Sequence, residues 1–300
     1  MQETEWLSDR FEEHRGYLTS VAYRMLGSLT EADDALQDAW LRVSRSGADG
    51  VENVGGWLTT IVARVCLNML RSRNVRREDA LDSHVPDPIV NRPGDIDPEE
   101  EALLADSVGL ALLVVLDTLG PAERLAFVLH DMFALPFEEI GPMVGRTPTA
   151  ARQLASRARR RVKGAEPGAV DRDGERQRQV VNAFFAAARM GDFDALVNLL
   201  DPEIVVRIDS GVHGQVGSAV LQGIDAVLQQ ARVGLKAWLS GPATELVPAS
   251  VNGSAGMVVT AHGKAVSVMG FIVANGKIIE IDTVADPERV GRIASAVVDP

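Results

Sequence analysis

Apolar residues recur at helical spacing through the first half of the chain. Positions three and four apart predict helices over about 11–26, 30–43 and 57–70, with Thr30 as the N-cap of the second. The third helix continues directly into a group of arginines. Four further stretches have the same pattern, at about 103–119, 121–133, 136–143 and 148–162. The first half is therefore predicted to be all-helical.

The pattern changes after residue 179. Two helical stretches, 180–190 and 193–200, are followed by runs typical of β-strands. These runs are 204–208, 256–262, 265–273 and 278–284. Between the last two, Asn275-Gly276 supplies the positive φ angles that a two-residue hairpin loop demands. Helices followed by a meander predict an α+β domain.

Two stretches are predicted to be linkers. Residues 78–106 hold ten acidic side chains, one basic side chain and the helix-breaking Pro86, Pro88, Pro93 and Pro98. This composition predicts a solvated tether. A second, shorter linker is predicted over about 164–178.

Length and cysteine content narrow the class of protein. Three hundred residues suggest two or three domains. No uncharged apolar run approaches the roughly 18 residues of a membrane helix, and the acidic N-terminus does not resemble a signal peptide. The one cysteine, Cys66, excludes an internal disulfide and cysteine zinc sites, and its apolar helix favours a packed thiol over a redox sensor. We expect a soluble cytoplasmic protein with no membrane contact.

The net charge of −12 hides two clusters of basic residues. Five arginines and no acidic residue lie between Glu52 and Glu78, and seven basic residues and no acidic one lie between Glu139 and Glu166. Two acid-free basic stretches on either side of an acidic spacer suggest two separate contacts with a polyanion.

Residues 134–163 have the pattern of a helix-turn-helix. A short apolar helix is followed by Gly145, after which Thr147 can cap a second helix with Pro148 in its first turn. We expect the second helix to lie in the DNA major groove. The alternative is an amphipathic helical pair with a solvated basic face. The candidate DNA contacts are Arg146, Thr147, Thr149, Arg152, Gln153, Ser156, Arg157, Arg159 and Arg160.

Two other segments carry candidate binding residues. Residues 53–77 combine an apolar helix with arginines, which suits a backbone contact and an unstacked base, although Trp57 could equally be a core residue. Its candidates are Trp57, Arg64, Asn68, Arg71, Arg73, Arg76 and Arg77. Residues 31–43 present an acidic face that could dock a basic protein or could simply be solvated. Its candidates are Asp33, Asp34, Gln37, Asp38, Trp40 and Leu41.

The order of these three segments resembles the RNA polymerase sigma factors of the extracytoplasmic-function class. Residues 33–42 resemble sigma region 2, which implies docking on the β′ clamp helices of bacterial RNA polymerase core. Residues 56–71 resemble the part that melts and reads the −10 element of promoter DNA. Residues 135–159 resemble region 4, which reads the −35 element and contacts the β flap. The resemblance covers roughly residues 8–165 and implies promoter-specific transcription initiation.

The remaining 135 or so residues resemble the subgroup with a fused SnoaL-like domain of the nuclear-transport-factor-2-like fold, a cone-shaped α+β domain. Residues 84–89, 209–212 and 285–290 approximate three landmark motifs of that subgroup. They imply a regulatory contact between linker and fused domain through Pro86, Asp87, Pro88, Asp209, Gly211, Asp286 and Pro287. The implied domains are region 2 (1–80), an acidic proline-rich linker (81–106), region 4 (107–165), a linker (166–178) and the SnoaL-like domain (179–300).

Two other functions stay open at the level of the sequence. Some relatives of the fused domain are enzymes with a pocket carboxylate as general base, for which Asp209 and Asp282 are the acidic candidates and His213, His262 and Trp238 the other polar or aromatic ones. The second open function is that of a ligand-responsive regulator that binds DNA without polymerase. We predict that the fused domain controls initiation in cis and that its pocket is a candidate site for a small ligand. We predict no catalytic residues, metal site or cofactor.

Overall fold

The computed structural model describes residues 2–48, 50–76, 83–94, 109–165, 170–171, 173–211, 217–231 and 243–298. These residues form two compact units. The first unit holds the described residues up to 76 together with 112–165, and the second holds 83–94, 109–111 and the described residues from 170 onward.

The first unit is all-helical. Its elements are α1 (Gln2–Leu26), α2 (Leu29–Ser46), α3 (Val54–Arg76), α4 (Leu110–Asp117, whose first two residues belong to the second unit), α5 (Pro121–Phe127), a π-helical turn (Val128–Met132), α6 (Phe137–Val144) and α7 (Pro148–Ala165). Helix α2 begins one residue before Thr30, and the extended residue Ser28 occupies the N-cap position, so the predicted cap at Thr30 is wrong. The single helix predicted over 121–133 ends as a π-helical turn.

The core of the first unit comes from the apolar stripes of its helices. Leu18, Leu36 and Leu67 are at most 1% exposed, because the stripes on α1, α2 and α3 face one another. Cys66 is fully buried among them, and this burial raises the pKa of its thiol to about 12. The expected packed thiol is confirmed.

A buried arginine connects the helices before residue 76 with those after residue 112. Arg124 on α5 is 1% exposed. Its Nε donates to the carbonyl of Arg24 on α1 at 3.2 Å, and its guanidinium pairs with Asp117 at 2.9 Å. Burial lowers the pKa of Arg124, and the charge of Asp117 opposes that shift. The first unit therefore depends on a charge pair inside its core.

The second unit is built on one seven-stranded sheet within the described residues. Its strands are β1 (Val90–Asn91), β2 (Leu200–Asp209), β3 (Ala219–Gln222), β4 (Thr244–Val251), β5 (Ser254–Ala261), β6 (Lys264–Ala274) and β7 (Lys277–Val284), in the order β1-β4-β5-β6-β7-β2-β3. All neighbours are antiparallel except β2 and β7. The predicted hairpin between β6 and β7 is confirmed, with φ of 52° at Asn275 and 75° at Gly276.

Both faces of this sheet are covered. Helices α8 (Gly174–Met190), α9 (Phe193–Leu199) and α10 (Ile224–Gln230) pack on one face around Phe184, Phe185 and Phe271. Helix α11 (Pro287–Ile293) and residues of the predicted tether cover the other face, together with Leu110. Alternate residues along each strand therefore enter two separate hydrophobic clusters.

The prediction of a solvated tether is wrong for residues 85–91. Val85, Ile89 and Val90 are at most 4% exposed, and β1 adds to the edge of the sheet beside β4. Pro86 and Pro88 lie before β1 in backbone that is neither helix nor strand, where no sheet hydrogen bond requires their missing N–H. The acidic composition of the segment predicted exposure to solvent, although three apolar residues within it are buried.

Candidate functional site

The helix-turn-helix predicted over 134–163 is present as α6 and α7. Gly145 turns the chain with a left-handed φ of 68°, and the Thr147 hydroxyl accepts a hydrogen bond from Ala150 N at 3.2 Å. Gly141 on α6 lies so close to the backbone of the turn that a Cβ there would meet the Arg146 carbonyl at 2.9 Å. The small residues Ala151, Ala155 and Ala158 are fully buried, which lets α7 pack closely on its neighbours.

The candidate residues of α7 divide into an exposed face and its flanks. We define the α7 face as the exposed residues of α7 that make no ion pair among the described residues, and its flanks as the arginines that pair with an acidic residue. The α7 face consists of Thr149, Arg152, Gln153, Ser156, Arg160 and Lys163. Arg146 and Thr147 are exposed in the preceding turn. On the flanks, Arg157 pairs with Glu123 at 2.8 Å and Arg159 with Asp131 at 2.6 Å. These flanking charges are partly neutralised within the unit.

Helix α3 places its candidate residues unequally. Arg64, Asn68 and Arg71 are exposed on one side, whereas Trp57 is half-buried. The Arg73 guanidinium instead turns inward, donates to the Leu26 carbonyl at 3.2 Å and pairs with Glu31. The prediction that Arg73 is a DNA contact is therefore corrected to a structural role. Arg76 lies in the last turn of α3, and Arg77 lies outside the described residues.

Helix α2 presents the predicted acidic face to solvent. Asp33, Asp34, Gln37 and Asp38 are exposed, and the Leu41 side chain among them is 50% exposed. Trp40 is half-buried and packs edge-on against Phe11, with ring centroids 5.3 Å apart. This face thus combines negative charge with an exposed apolar residue, whereas Trp40 helps to hold α2 on α1.

The three landmark segments come together in the second unit, in what we call the Asp209 cluster: His84, Asp87, Asp209 and Arg289. Asp209 Oδ2 accepts hydrogen bonds from His84 Nδ1 at 2.8 Å, from Val85 N at 3.0 Å and from Arg289 at 2.7 Å. Arg289 also pairs with Asp87 at 2.6 Å and donates to the Val85 carbonyl. The cluster therefore ties the segment 84–87 to β2 and α11.

Burial by itself would raise the pKa of Asp209. The hydrogen bond from His84 and the positive charge of Arg289 outweigh that effect and hold the pKa well below the ordinary value for an aspartate. The carboxylate therefore stays ionised at neutral pH although its side chain is 8% exposed.

Backbone constraints surround the Asp209 cluster. Asp286 caps α11 by accepting from Arg289 N at 3.0 Å, with Pro287 in the first turn. Gly211 has a φ of 63°, and a Cβ there would overlap the Asp286 carboxylate. Pro86 and Pro88 are buried beside the cluster. All seven residues predicted for the linker contact thus lie in or beside one site.

Sequence reasoning missed one further contact that holds the same segment. Asn252 Oδ1 accepts from Ile89 N at 2.7 Å, and Asn252 N donates to the Ile89 carbonyl at 2.9 Å. Asn252 lies with a φ of 48° in the turn between β4 and β5. The Asn252-Gly253 pair is a turn signal, but only the folded sheet brings it to residue 89.

One face of the sheet, together with α8 and α10, lines a cavity of about 550 Å³. Among the described residues that line it there is no charged side chain. Asp209 and Asp282 both lie on the opposite face, where Asp282 pairs with Arg207 at 3.0 Å. His262 lies in the turn between β5 and β6, and His213 and Trp238 lie outside the described residues. The expected pocket carboxylates are therefore not cavity residues.

The amino-acid sequence matches two family models. Sigma-70 region 2 matches residues 10–76, and Sigma-70 region 4 matches residues 109–162. The first match covers α1 to α3 with the acidic face, and the second covers α4 to α7 with the helix-turn-helix. None of the described helices is long and apolar enough to cross a membrane.

Similarity to individual proteins extends beyond the sigma regions. The chain is 34% identical over 296 residues to the probable ECF RNA polymerase sigma factor SigI of Mycobacterium tuberculosis, covering 97% of both chains. It is 39% identical over 220 residues to the ECF RNA polymerase sigma factor SigJ of the same organism, covering 73% of this chain and 70% of SigJ. The crystal structure of M. tuberculosis SigJ matches with a TM-score of 0.72 at 33% identity, over 94% of this chain and 97% of that one.

These matches confirm the expected architecture of two helical sigma domains followed by an α+β SnoaL-like domain. They also support promoter-specific transcription initiation as the function. The chain matches relatives of this class along almost its whole length, and it belongs to the extracytoplasmic-function sigma factors of RNA polymerase.

Proposed function

We propose that this sigma factor divides promoter recognition between α3 and α7 and that its fused domain controls initiation in cis by holding the segment 84–91. The Asp209 cluster is the observation that carries the second part of this proposal. The protein would act in the cytoplasm, where bacterial RNA polymerase and promoter DNA are found.

The exposed face of α2 is the proposed contact with the β′ clamp helices of the polymerase core. Asp34 and Asp38 supply negative charge, and Gln37 a neutral amide, around the exposed Leu41 side chain. An apolar residue ringed by charge suits a specific protein contact, since charge steers the encounter and the apolar centre supplies affinity. Region 4 would in turn contact the β flap.

The −10 and −35 elements would be read by different helices of the first unit. On α3, Arg64, Asn68 and Arg71 are exposed and can contact an opened strand. On the α7 face, Arg152, Gln153 and Ser156 are the proposed contacts to base edges, and Arg160 is a proposed phosphate contact. Arg157 and Arg159 are proposed to contribute less, because each already has a carboxylate partner.

Control in cis follows from where the chain between regions 2 and 4 is held. Both −10 and −35 elements must be engaged at a spacing set by the promoter, and the connecting chain limits that spacing. Residues 84–91 are fixed by the Asp209 cluster, by Asn252 and by β1 pairing. A chain fixed in this way has less freedom to adapt, so we propose that the fused domain restrains initiation.

In vitro transcription with purified core polymerase and a library of promoter fragments tests this proposal. The full chain is compared with Asp209→Asn, which breaks the cluster, and with Glu288→Gln, an equivalent change at an exposed position of α11. We expect initiation from all three proteins and more of it from Asp209→Asn. Equal activity of Asp209→Asn and Glu288→Gln would contradict restraint through the cluster, as would a loss of activity in Asp209→Asn alone.

A further inference from the structure

The cavity of the second unit has the character of a small-molecule site. Its volume of about 550 Å³ falls within the range of roughly 300–1000 Å³ found for ligand pockets. Its wall is mainly apolar and includes Phe184, Val206, Met269 and Ile281.

The wall contains a buried polar side chain, Ser267, that has no hydrogen-bond partner among the described residues. Ser267 lies on β6 and is 1% exposed. A buried hydroxyl without a partner costs free energy that a suitably placed ligand atom would recover. Because no charged side chain lies among the described lining residues, an ionised ligand would be desolvated without compensation. The cavity therefore favours a neutral, largely apolar molecule with one hydrogen-bonding group.

The cavity wall and the Asp209 cluster are formed by the same two segments. Ile208 and Ser210 line the cavity, and Asp209 between them points to the opposite face of the sheet. Ala285 and Pro287 likewise line the cavity on either side of Asp286. The two segments are joined directly, because Ala285 N donates to the Asp209 carbonyl at 2.7 Å.

We propose that the cavity is an effector site for a neutral, largely apolar small molecule, and that its occupation strengthens the hold of the Asp209 cluster on residues 84–91. A molecule in the cavity packs against residues 208, 210, 285 and 287 from the side opposite the linker and supports the backbone that presents Asp209. The regulatory consequence rests on the proposed control in cis, whereas binding and its effect on the linker do not.

Two fluorescent probes with related ring systems test the chemistry of the site. N-phenyl-1-naphthylamine is neutral and carries one N–H, and 8-anilinonaphthalene-1-sulfonate adds a negative charge to the same skeleton. Titrated with the full chain, the neutral probe is expected to bind at least tenfold more tightly than the sulfonate. Equal or tighter binding of the sulfonate would overturn the assignment of a neutral site.

Two cavity-filling variants locate the binding. Ser267→Leu and Ala265→Phe both place bulk into the cavity from β6, and each should abolish binding of the neutral probe. Ser295→Leu, an exposed position after α11, is the matched control and should bind normally. Hydrogen exchange of β5 and β7 shows whether each variant folds. If one of the two variants does not fold, probe binding by the other variant is the test. Normal binding by a folded cavity variant would overturn the proposal.

Hydrogen exchange measures the coupling without polymerase. If the probe binds only when the linker is held, exchange at Val85 and Ile89 should slow by about tenfold at a probe concentration ten times its Kd. By reciprocity, Asp209→Asn should weaken probe binding. Probe binding with unchanged exchange at these amides would overturn the coupling. If the transcription experiment contradicts control in cis, the results on probe binding and hydrogen exchange are unaffected. The proposed effector site and the proposed control in cis can therefore be refuted independently.

Discussion

Replacing Asp209 by asparagine should release the segment 84–87 from the second unit. Asp209 Oδ2 accepts from His84, Val85 N and Arg289, and Oδ1 accepts from Gly211 N at 3.1 Å. An amide NH2 in place of either oxygen faces N–H donors, so hydrogen bonds are lost in either orientation. The change also leaves Arg289 with one carboxylate partner instead of two.

The size of the effect follows from the burial of the cluster. Breaking a buried ion pair from one side costs roughly 3–5 kcal/mol. Arg289 is 16% exposed and keeps Asp87, so we expect a smaller cost than that range, about 2–3 kcal/mol. Since about 1.4 kcal/mol corresponds to a tenfold change, local opening at Val85 should become roughly 30- to 150-fold more frequent.

Hydrogen exchange with fragment-level resolution is the assay. The amides of Val85 and Ile89 should exchange faster in Asp209→Asn, while those of α7 in the first unit should not change. Glu288→Gln is the matched control, and Gly211→Ala is an independent route to the same site because its Cβ would push against Asp286. Unchanged exchange at Val85 in Asp209→Asn would refute the claim that this carboxylate holds the linker.

Three further predictions concern other charges. Arg152→Ala should reduce transcription dependent on the −35 element by roughly 5- to 150-fold, the 1–3 kcal/mol of a base contact, whereas Arg157→Ala should change it by less than about threefold; equal losses would contradict the division of α7 into face and flanks. Arg124→Met should destabilise the first unit by at most roughly 3–5 kcal/mol in urea denaturation, because it removes a cationic partner of Asp117 and the hydrogen bond to the Arg24 carbonyl; full stability of Arg124→Met would contradict a structural role. The pKa of Asp209 is lowered on folding, so the stability that its carboxylate contributes is complete above the unfolded pKa of about 3.9 and is lost as the pH falls below that value. In urea denaturation between pH 5 and 2.5, the free energy of unfolding should therefore fall less in Asp209→Asn than in the unchanged protein. Identical pH profiles of the two proteins would contradict this.

Elements with a strong local signal could be predicted from the sequence. Helices α1 to α3 and α6 to α7, the strands β5 to β7 and the hairpin at Asn275-Gly276 all follow from periodicity or turn chemistry that a few neighbouring residues decide. The two errors at helix ends, at Thr30 and at residues 128–132, are local as well. Several residues near the start of α2 could serve as its N-cap, and the local sequence does not decide between them. Packing rather than capping preference sets this helix start and the change from α5 to the π-helical turn.

The candidate residues show where sequence reasoning stops. All arginines of α3 and α7 look alike in a count of charge, yet Arg73, Arg157 and Arg159 have carboxylate partners that are 42, 34 and 28 residues away along the chain. Nothing in the local pattern specifies such partners. The first unit places the acids beside these arginines and leaves Arg152 and Arg160 on the exposed face.

The sequence by itself determined the order of helices and strands, the helix-turn-helix and the acidic and basic faces, because each depends on residues close together in the chain. Only the tertiary structure decided that the acidic segment 85–91 is buried, that Asp209 serves the linker instead of the cavity and that the cavity is uncharged among its described residues. The physical reason is that a strand presents alternate residues to opposite faces, and pairing between strands 75 to 161 residues apart in the chain fixes which partner each face meets.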